Sequence, residues 1–252
     1  MDREKCAYFL SDLHLGASYS PDARERERKV VAFLDSIKNS AAEIYLLGDI
    51  LDYWYEYRYV VPRGYTRFFG KIAELADAGI KIVWLKGNHD IWIFDYLPQE
   101  LGIEIEDGIL IRDIMGHKCL LHHGDGVGQL KPSFKLIRGL FRNSLAQRLF
   151  SGIHPRWTVP FAYRWSSHSR KGGEKRDVPE DILMKNLREF TAASHQENPE
   201  IEYYIFGHVH LLTKEVVADG CEMIILGDWI KHFSYATLTR SGLTLHQFDL
   251  QE

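Results

Sequence analysis

The sequence predicts a layered α/β fold with a largely parallel sheet, and three observations carry that expectation. Short apolar runs alternate with stretches of helical periodicity through the first half of the chain. Each of five such runs ends in a cluster of Asp, His or Asn, where an α/β sheet displays its chemistry. The last third is a series of short β-like runs separated by glycine turns at Gly220, Gly227 and Gly242.

The elements follow in order. Residues 7–10 form a buried strand, and residues 22–37 a helix with Val30, Phe33, Leu34 and Ile37 at helical spacing. Residues 44–47 are the next strand. Residues 64–78 are a second helix, built on Phe68, Ile72 and Leu75, with Gly79 at its C-terminal cap. Residues 81–85 complete a βαβαβ order that calls for parallel pairing. Residues 103–111 and 118–121 read as two further strands, with a turn at Met115-Gly116 between them. Residues 179–195 read as a helix and residues 203–206 as a strand. The chain of 252 residues suits one domain with a substantial core.

Composition narrows the class. Hydrophobic residues make up 45% and charged residues 26%, as in an ordinary globular protein. No apolar run approaches the ~20 residues of a spanning helix. The charged start, Met1 to Lys5, leads straight into a strand, so no signal peptide is expected. Cys6, Cys119 and Cys221 are odd in number and far apart, which fits a reducing compartment rather than a disulfide framework.

The net charge of −4 is unevenly spread. Residues 126–173 contain no Asp or Glu, and hold Lys131, Lys135, Arg138, Arg142, Arg148, Arg156, Arg164, Arg170 and Lys171. Interleaved with them, Phe134, Leu136, Ile137, Leu140, Phe141, Leu145, Leu149 and Phe150 fall roughly on one helix face. Pro155, Pro160, Gly172 and Gly173 punctuate the remainder. The expected organisation is a single domain, residues 1–252, carrying a basic and apolar helical insert at about residues 126–176. A basic island in an acidic chain points to an anionic partner. Apolar walls with cations at the mouth suit a lipid-linked phosphate or an anionic membrane surface. The apolar residues outnumber what a groove tracking a nucleic-acid backbone uses, and no protein partner is evident.

The five clusters are Ser11-Asp12-Leu13-His14, Gly48-Asp49, Gly87-Asn88-His89-Asp90, His122-His123-Gly124-Asp125 and Gly207-His208-Val209-His210. One Asp-x-His or one Gly-Asp is usually surface polarity or a turn. Five in sequence, each after an apolar run, are hard to explain as packing. Asp12 and His14 lie two apart, and an extended chain would turn both to one side. Asp49 can bridge two cations through its two oxygens, and Asn88 offers a neutral carbonyl. His123, His208 and His210 supply nitrogen. This thiolate-free set suits Mn, Fe or Zn in a reactive site, not a structural zinc. Two ions about 3.5–4 Å apart would clamp a phosphoryl group and activate a water. His122 faces away from His123 and is expected to pack.

In order and spacing these motifs, with Gly48-Asp49-Ile50-Leu51-Asp52, resemble the calcineurin-like metallophosphoesterases. The resemblance implies a four-layer α/β/β/α metallophosphoesterase sandwich with a helical cap insertion, and a dinuclear centre at the sheet edges. It implies that Asp12, His14, Asp49 and His210 hold one ion, and that Asp49, Asn88, His123 and His208 hold the other. His89 would be a catalytic residue acting on the phosphoryl oxygens or the leaving group, with Asp52 as its orienting carboxylate.

Within that family the chain is most similar to the UDP-2,3-diacylglucosamine pyrophosphohydrolases of lipid A biosynthesis. Ser11 to Gly16, Gly48 to Trp54, Leu226-Gly227-Asp228-Trp229 and the insert carry that similarity. It implies a manganese-dependent hydrolase that releases UMP and a lipid monophosphate, cytoplasmic and peripheral on the inner face of the cytoplasmic membrane. It makes Phe134, Ser169 and Arg176 of the insert candidates for substrate contacts. In one departure, the best-established members of that group carry Arg where this chain has His89. Two other functions stay open: a phosphodiesterase or pyrophosphatase acting on a different nucleotide or lipid phosphate ester, and an inactive scaffold.

Overall fold

The computed structural model describes residues 5–17, 22–128, 132–174 and 180–249. The chain begins with β1 (Cys6–Leu10), α1 (Ala23–Ile37), β2 (Ala41–Leu47), α2 (Thr66–Asp77), β3 (Lys81–Leu85), α3 (Tyr96–Leu101) and β4 (Glu104–Glu106). After them come β5 (Leu110–Ile114), β6 (His117–His122), α4 (Pro132–Arg142), α5 (Ser144–Ser151), α6 (Pro155–Glu174) and α7 (Glu180–Glu197). The chain closes with β7 (Tyr203–Phe206), β8 (Leu212–Ala218), β9 (Cys221–Leu226), β10 (Ser234–Thr239) and β11 (Gly242–Gln247).

Two sheets stack face to face. One runs β11-β10-β1-β2-β3-β4 and the other β5-β6-β7-β9-β8. The strands β1 to β4 pair in parallel, as do β6, β7 and β9, while β5, β8, β10 and β11 close the sheets antiparallel. The period of two along each strand sorts its side chains between two layers. Tyr8, Leu10, Ile44 and Leu46 join Val30, Phe33 and Leu34 of α1 and Phe68 and Ile72 of α2 in one core. Ala7, Phe9, Tyr45 and Leu47 face Cys119, Leu121, Ile205 and Ile224 in a second core between the sheets. Leu120, Tyr204, Phe206, Met223 and Ile225 pack with Met184 and Leu187 of α7 in a third. The result is the α/β/β/α sandwich that the resemblance implied.

The structure departs from the sequence reading in three places. Residues 103–111 are not one strand: Gly108, with φ of +94°, turns the chain so that β4 and β5 enter different sheets. The apolar face of the insert is broken into α4 and α5 at Asn143, whose side chain caps α5 by accepting from the Ala146 N–H (3.0 Å). Residues 155–174 form one helix despite their prolines. Pro155 occupies the first position, where its missing N–H costs no bond, and Pro160 falls early in the helix.

Helix α3 was not expected, because its short run lacks periodicity. A buried carboxylate on another loop organises its start. Glu56 accepts from the backbone N–H groups of Phe94, Asp95, Tyr96 and Leu97 and from Trp54 Nε1. The Glu56→Ala protein is expected to lose about 3 kcal/mol of stability, read by urea denaturation, because these buried donors lose their acceptor.

The helices α4 to α6 lie against the loops that follow β2 and β3. Tyr55 Oη donates to the Gln147 carbonyl (2.6 Å), Trp92 Nε1 donates to the Phe141 carbonyl (2.9 Å), and Tyr57 bonds Thr158 through their hydroxyls. The rings of Tyr55 and Phe150 are 5.0 Å apart. Tyr53, Tyr55 and Tyr57 of the aromatic run therefore pack against these helices, while Trp54 turns into the core and Tyr59 is exposed. Among the described residues, no helix is long and apolar enough to cross a membrane.

Candidate metal centre

The parallel strands β1, β2, β3, β6, β7 and β9 all deliver their C-terminal ends to one edge of the sandwich, and each is followed by a loop carrying Asp, His or Asn. The loops are sewn together by main-chain bonds. Asp12 N–H donates to the Gly48 carbonyl (3.1 Å), His14 N–H to the Asp49 carbonyl (2.9 Å) and Gly207 N–H to the His123 carbonyl (2.9 Å).

Their backbones are strained. Asp12 (φ 55°), His14 (40°), Asp49 (53°), His208 (70°) and His210 (57°) all sit in the left-handed region. Each such residue costs of order 1 kcal/mol outside glycine. Asp12 and His14 thus share a side through a left-handed turn, not through the extended chain expected from their spacing. Two glycines permit the close approach. A Cβ on Gly207 would collide with Ser11 Oγ and Asp12 Oδ2, and one on Gly87 with Asp49.

The side chains converge. Asp12 Oδ1 lies 3.5 Å from His14 Nε2 and 3.4 Å from His210 Nε2. Asp49 Oδ2 lies 3.7 Å from His14 Nε2, 3.3 Å from His123 Nε2 and 3.9 Å from His89 Nε2. Three sets of donor atoms come within 4.8 Å of one another: Asp12, His14 and His210; His14, Asp49 and His89; and Asp49, His123 and His208. Asp49 belongs to two of them.

Metal ions fit this arrangement on two grounds. Asp12 Oδ1, Asn88 Oδ1 and His123 Nε2 are buried and accept or donate no hydrogen bond among the described residues, although buried polar atoms are ordinarily paired. The imidazoles are also oriented from behind. His123 Nδ1 donates to the Leu47 carbonyl (2.8 Å) and His210 Nδ1 donates to Asp228 Oδ2 (2.9 Å). That fixes a proton on Nδ1 and turns Nε2 inward, the orientation of a ligating histidine.

The acids are held by backbone. Asp12 Oδ2 accepts from Ser11 Oγ (2.6 Å) and His208 N–H (2.8 Å), and Asp49 Oδ1 accepts from His89 N–H (2.8 Å). Asp228 Oδ1 accepts from the N–H groups of Ile230, Lys231 and His232. Asp90 accepts from the N–H groups of Asp49, Ile50 and Gly87 and from Trp84 Nε1.

Electrostatics matches the geometry. Burial alone would raise the Asp12 carboxyl, but the imidazoles of His210, His14 and His123 hold it well below the ordinary value. Asp49 is likewise lowered: burial opposes ionisation, and His123, His89 and His14 overcome it. Burial and the neighbouring His123 push His208 down to about 4, so its ring is neutral at physiological pH. Burial would also lower His123, but Asp49 outweighs it and raises the ring well above the ordinary value. Burial and the charge of Asp49 push Asp90 up to about 6.

The structure thus brings Asp12, His14, Asp49, Asn88, His123, His208 and His210 to one edge, with His89 beside Asp49. His89 Nδ1 donates to the Asp52 main-chain carbonyl (2.9 Å), while the Asp52 carboxylate stands 3.8 Å from that nitrogen. The same carboxylate approaches His14 Nδ1 more closely, at 3.3 Å. The orientation expected of the Asp52 carboxylate therefore comes from its carbonyl, and the carboxylate faces His14. His122 is buried and accepts from the Gly124 N–H, burial pushing its ring down to about 4. The side chains of Phe134 and Ser169, and the whole of Arg176, lie outside the described residues. Sequence reasoning assigned no role to Ser11, Asp90 or Asp228. Their signal is a polar residue next to a ligand cluster after an apolar run, which is too common to stand alone.

The chain is similar to known proteins over most of its length. The model of the calcineurin-like phosphoesterase family matches residues 7–212. A UDP-2,3-diacylglucosamine hydrolase of Porphyromonas gingivalis is 42% identical to this chain, covering 97% of it and 98% of the relative. A protein of the same name from Neisseria meningitidis is 30% identical, covering 94% of each. Among solved structures, Yfce, a phosphoesterase from E. coli, matches with a TM-score of 0.48 at 15% identity, covering 98% of this chain and 95% of that one. With the family model spanning most of its length and a full-length relative at this identity, the chain belongs to the calcineurin-like phosphoesterase family.

Proposed function

We propose that this chain hydrolyses the pyrophosphate bond of UDP-2,3-diacylglucosamine to UMP and a lipid monophosphate. The observation that carries the reading is the cluster of candidate metal ligands on a chain that aligns over most of its length with hydrolases named for that substrate. Asp12, His14, Asp49 and His210 would hold one divalent ion, and Asp49, Asn88, His123 and His208 a second. The mixed oxygen and nitrogen set favours Mn2+, with Fe or Zn as chemical alternatives. When bound, such ions supply positive charge to the phosphoryl oxygens and acidity to a water nucleophile.

The rest of the reaction falls to the chain. Asp49 Oδ2 is surrounded by three imidazole nitrogens, so its charge fixes where the cationic side of the site lies. His89 gives its Nδ1 proton to the Asp52 carbonyl, which aims Nε2 at the Asp49 side of the cleft. In that position a protonated Nε2 stabilises a phosphoryl oxygen or hands a proton to the departing phosphate. The backbone bonds to Asp12 and Asp49 hold the acids in place, so little reorganisation accompanies the reaction.

The insert supplies the apolar side of recognition. Leu136, Leu140, Leu145, Leu149, Trp157 and Phe161 on α4, α5 and α6 are exposed. Exposed Lys135, Arg148 and Arg156 accompany them with no acidic residue between 126 and 173. Such a face takes acyl chains beside an anionic head, and it suits contact with the inner leaflet of the cytoplasmic membrane.

The test compares UMP release from UDP-2,3-diacylglucosamine and from the deacylated UDP-sugar. The diacylated substrate is expected to give at least about a hundredfold higher kcat/KM, the equivalent of burying three to four methylenes. Equal rates would move the assignment to a phosphodiesterase or pyrophosphatase acting on a different nucleotide or lipid phosphate ester, the reading that His89 favours.

A further inference from the structure

Among the described side chains of the insert, a buried hydroxyl reaches toward the candidate metal site. Ser166 of α6 is 3% exposed, and its Oγ donates to Asp52 Oδ2 at 3.0 Å, across 114 residues of sequence. Asp52 is 1% exposed. Its other oxygen, Oδ1, lies 3.3 Å from His14 Nδ1. On the far side of the same ring, His14 Nε2 faces Asp12 Oδ1 at 3.5 Å and Asp49 Oδ2 at 3.7 Å. A single carboxylate therefore joins a helix of the insert to the back of a ligand ring.

We propose that Ser166 is a positioning residue for the metal centre: it fixes the Asp52 carboxylate, which in turn fixes the His14 ring with Nε2 toward the ion. The physical argument has two parts. A carboxylate rotates about its own side-chain bonds unless its second oxygen is held, and a hydrogen bond to an ionised group is worth about 1.5–3 kcal/mol. The Asp52 carboxylate stands behind His14 Nδ1 at 3.3 Å as a charge contact, and loss of such support behind a ligating imidazole costs about 10- to 100-fold in affinity. The His14 backbone is already in the left-handed region, so the ring cannot recover its aim by a small backbone adjustment at no cost.

Other contacts also hold α6 to the same loop without reaching a ligand. Tyr65 Oη and Tyr163 Oη are 3.2 Å apart, and Tyr57 pairs with Thr158. Among the described contacts, Ser166 bonds the carboxylate behind His14, whereas the Tyr57–Thr158 pair docks α6, which separates aiming from docking. In the docked insert the centre is complete; with α6 displaced, His14 loses its support.

The experiment measures Mn2+ binding to the stripped full-length protein by electron paramagnetic resonance of free manganese, without substrate. Ser166→Ala is expected to weaken one of two ions about tenfold and to lower kcat with KM unchanged. Tyr57→Phe, which loosens docking alone, is expected to leave both ions at wild-type affinity. In an Asp52→Asn background, Ser166→Ala is expected to add nothing further. Two ions at wild-type affinity in Ser166→Ala would overturn the proposal. So would an equal weakening in Tyr57→Phe, or an undiminished effect in the Asp52→Asn background. The proposal rests on His14 being a ligand, and a His14→Ala protein that still took up two ions would sink that reading separately.

Discussion

An Asp49→Asn protein will keep its fold and lose at least about a thousandfold in turnover, roughly 4 kcal/mol of transition-state stabilisation. The argument begins with what Asn preserves. It tolerates the left-handed backbone at this position (φ 53°), and its carbonyl can still accept from the His89 N–H, as Asp49 Oδ1 does at 2.8 Å. What disappears is one negative charge and one oxygen. That oxygen, Oδ2, lies 3.3 Å from His123 Nε2, 3.7 Å from His14 Nε2 and 3.9 Å from His89 Nε2. No other carboxylate among the described residues belongs to two of the three donor groups. Elemental analysis should find fewer than two manganese ions per chain, with an unchanged circular dichroism spectrum. Near-native turnover in this variant would refute the assignment of Asp49 as the shared ligand.

Asp90→Ala should cost about 4 kcal/mol or more of stability in urea denaturation. Its carboxylate accepts from the N–H groups of Asp49, Ile50 and Gly87 and from the Trp84 indole. The residue is completely buried, so water cannot replace the acceptor without opening the structure. Each stranded buried donor costs about 1–3 kcal/mol, and three of these donors lie in the loops that carry Asp49 and Asn88. Activity should fall with stability. A loss below about 1 kcal/mol would mean that these donors find other partners and that the description of Asp90 as a hub is mistaken.

Much of this centre could be read before any coordinates, and particular residues show why. The candidate ligand clusters follow short apolar runs that alternate with helical stretches and so read as strands, which left Asp12, Asp49, Asn88, His123 and His208 one edge at which to meet. The layers were legible because residues such as Tyr8 and Phe9 must face opposite ways in a strand, and both are apolar. What stayed hidden depended on contacts far apart in sequence. Nothing local announces that Glu56 will organise the start of α3, or that Asp52 will turn its carboxylate to His14 and its carbonyl to His89. The break at Asn143 was missed because apolar periodicity continues through it, and the cap is visible only as a side chain bonded to a nearby N–H. The Asp12 and His14 spacing gave the right partnership by the wrong route, since periodicity arguments assume an unstrained backbone.

The left-handed torsions at Asp12, His14, Asp49, His208 and His210 have a consequence for handling the protein. The framework that sets them is woven from peptide hydrogen bonds and tight glycine contacts, which are interactions of the chain with itself. Chelation should therefore leave a ready-made socket. Cobalt, zinc or iron could then be loaded in turn on one preparation, and differences in rate would report the chemistry of each ion on a common scaffold.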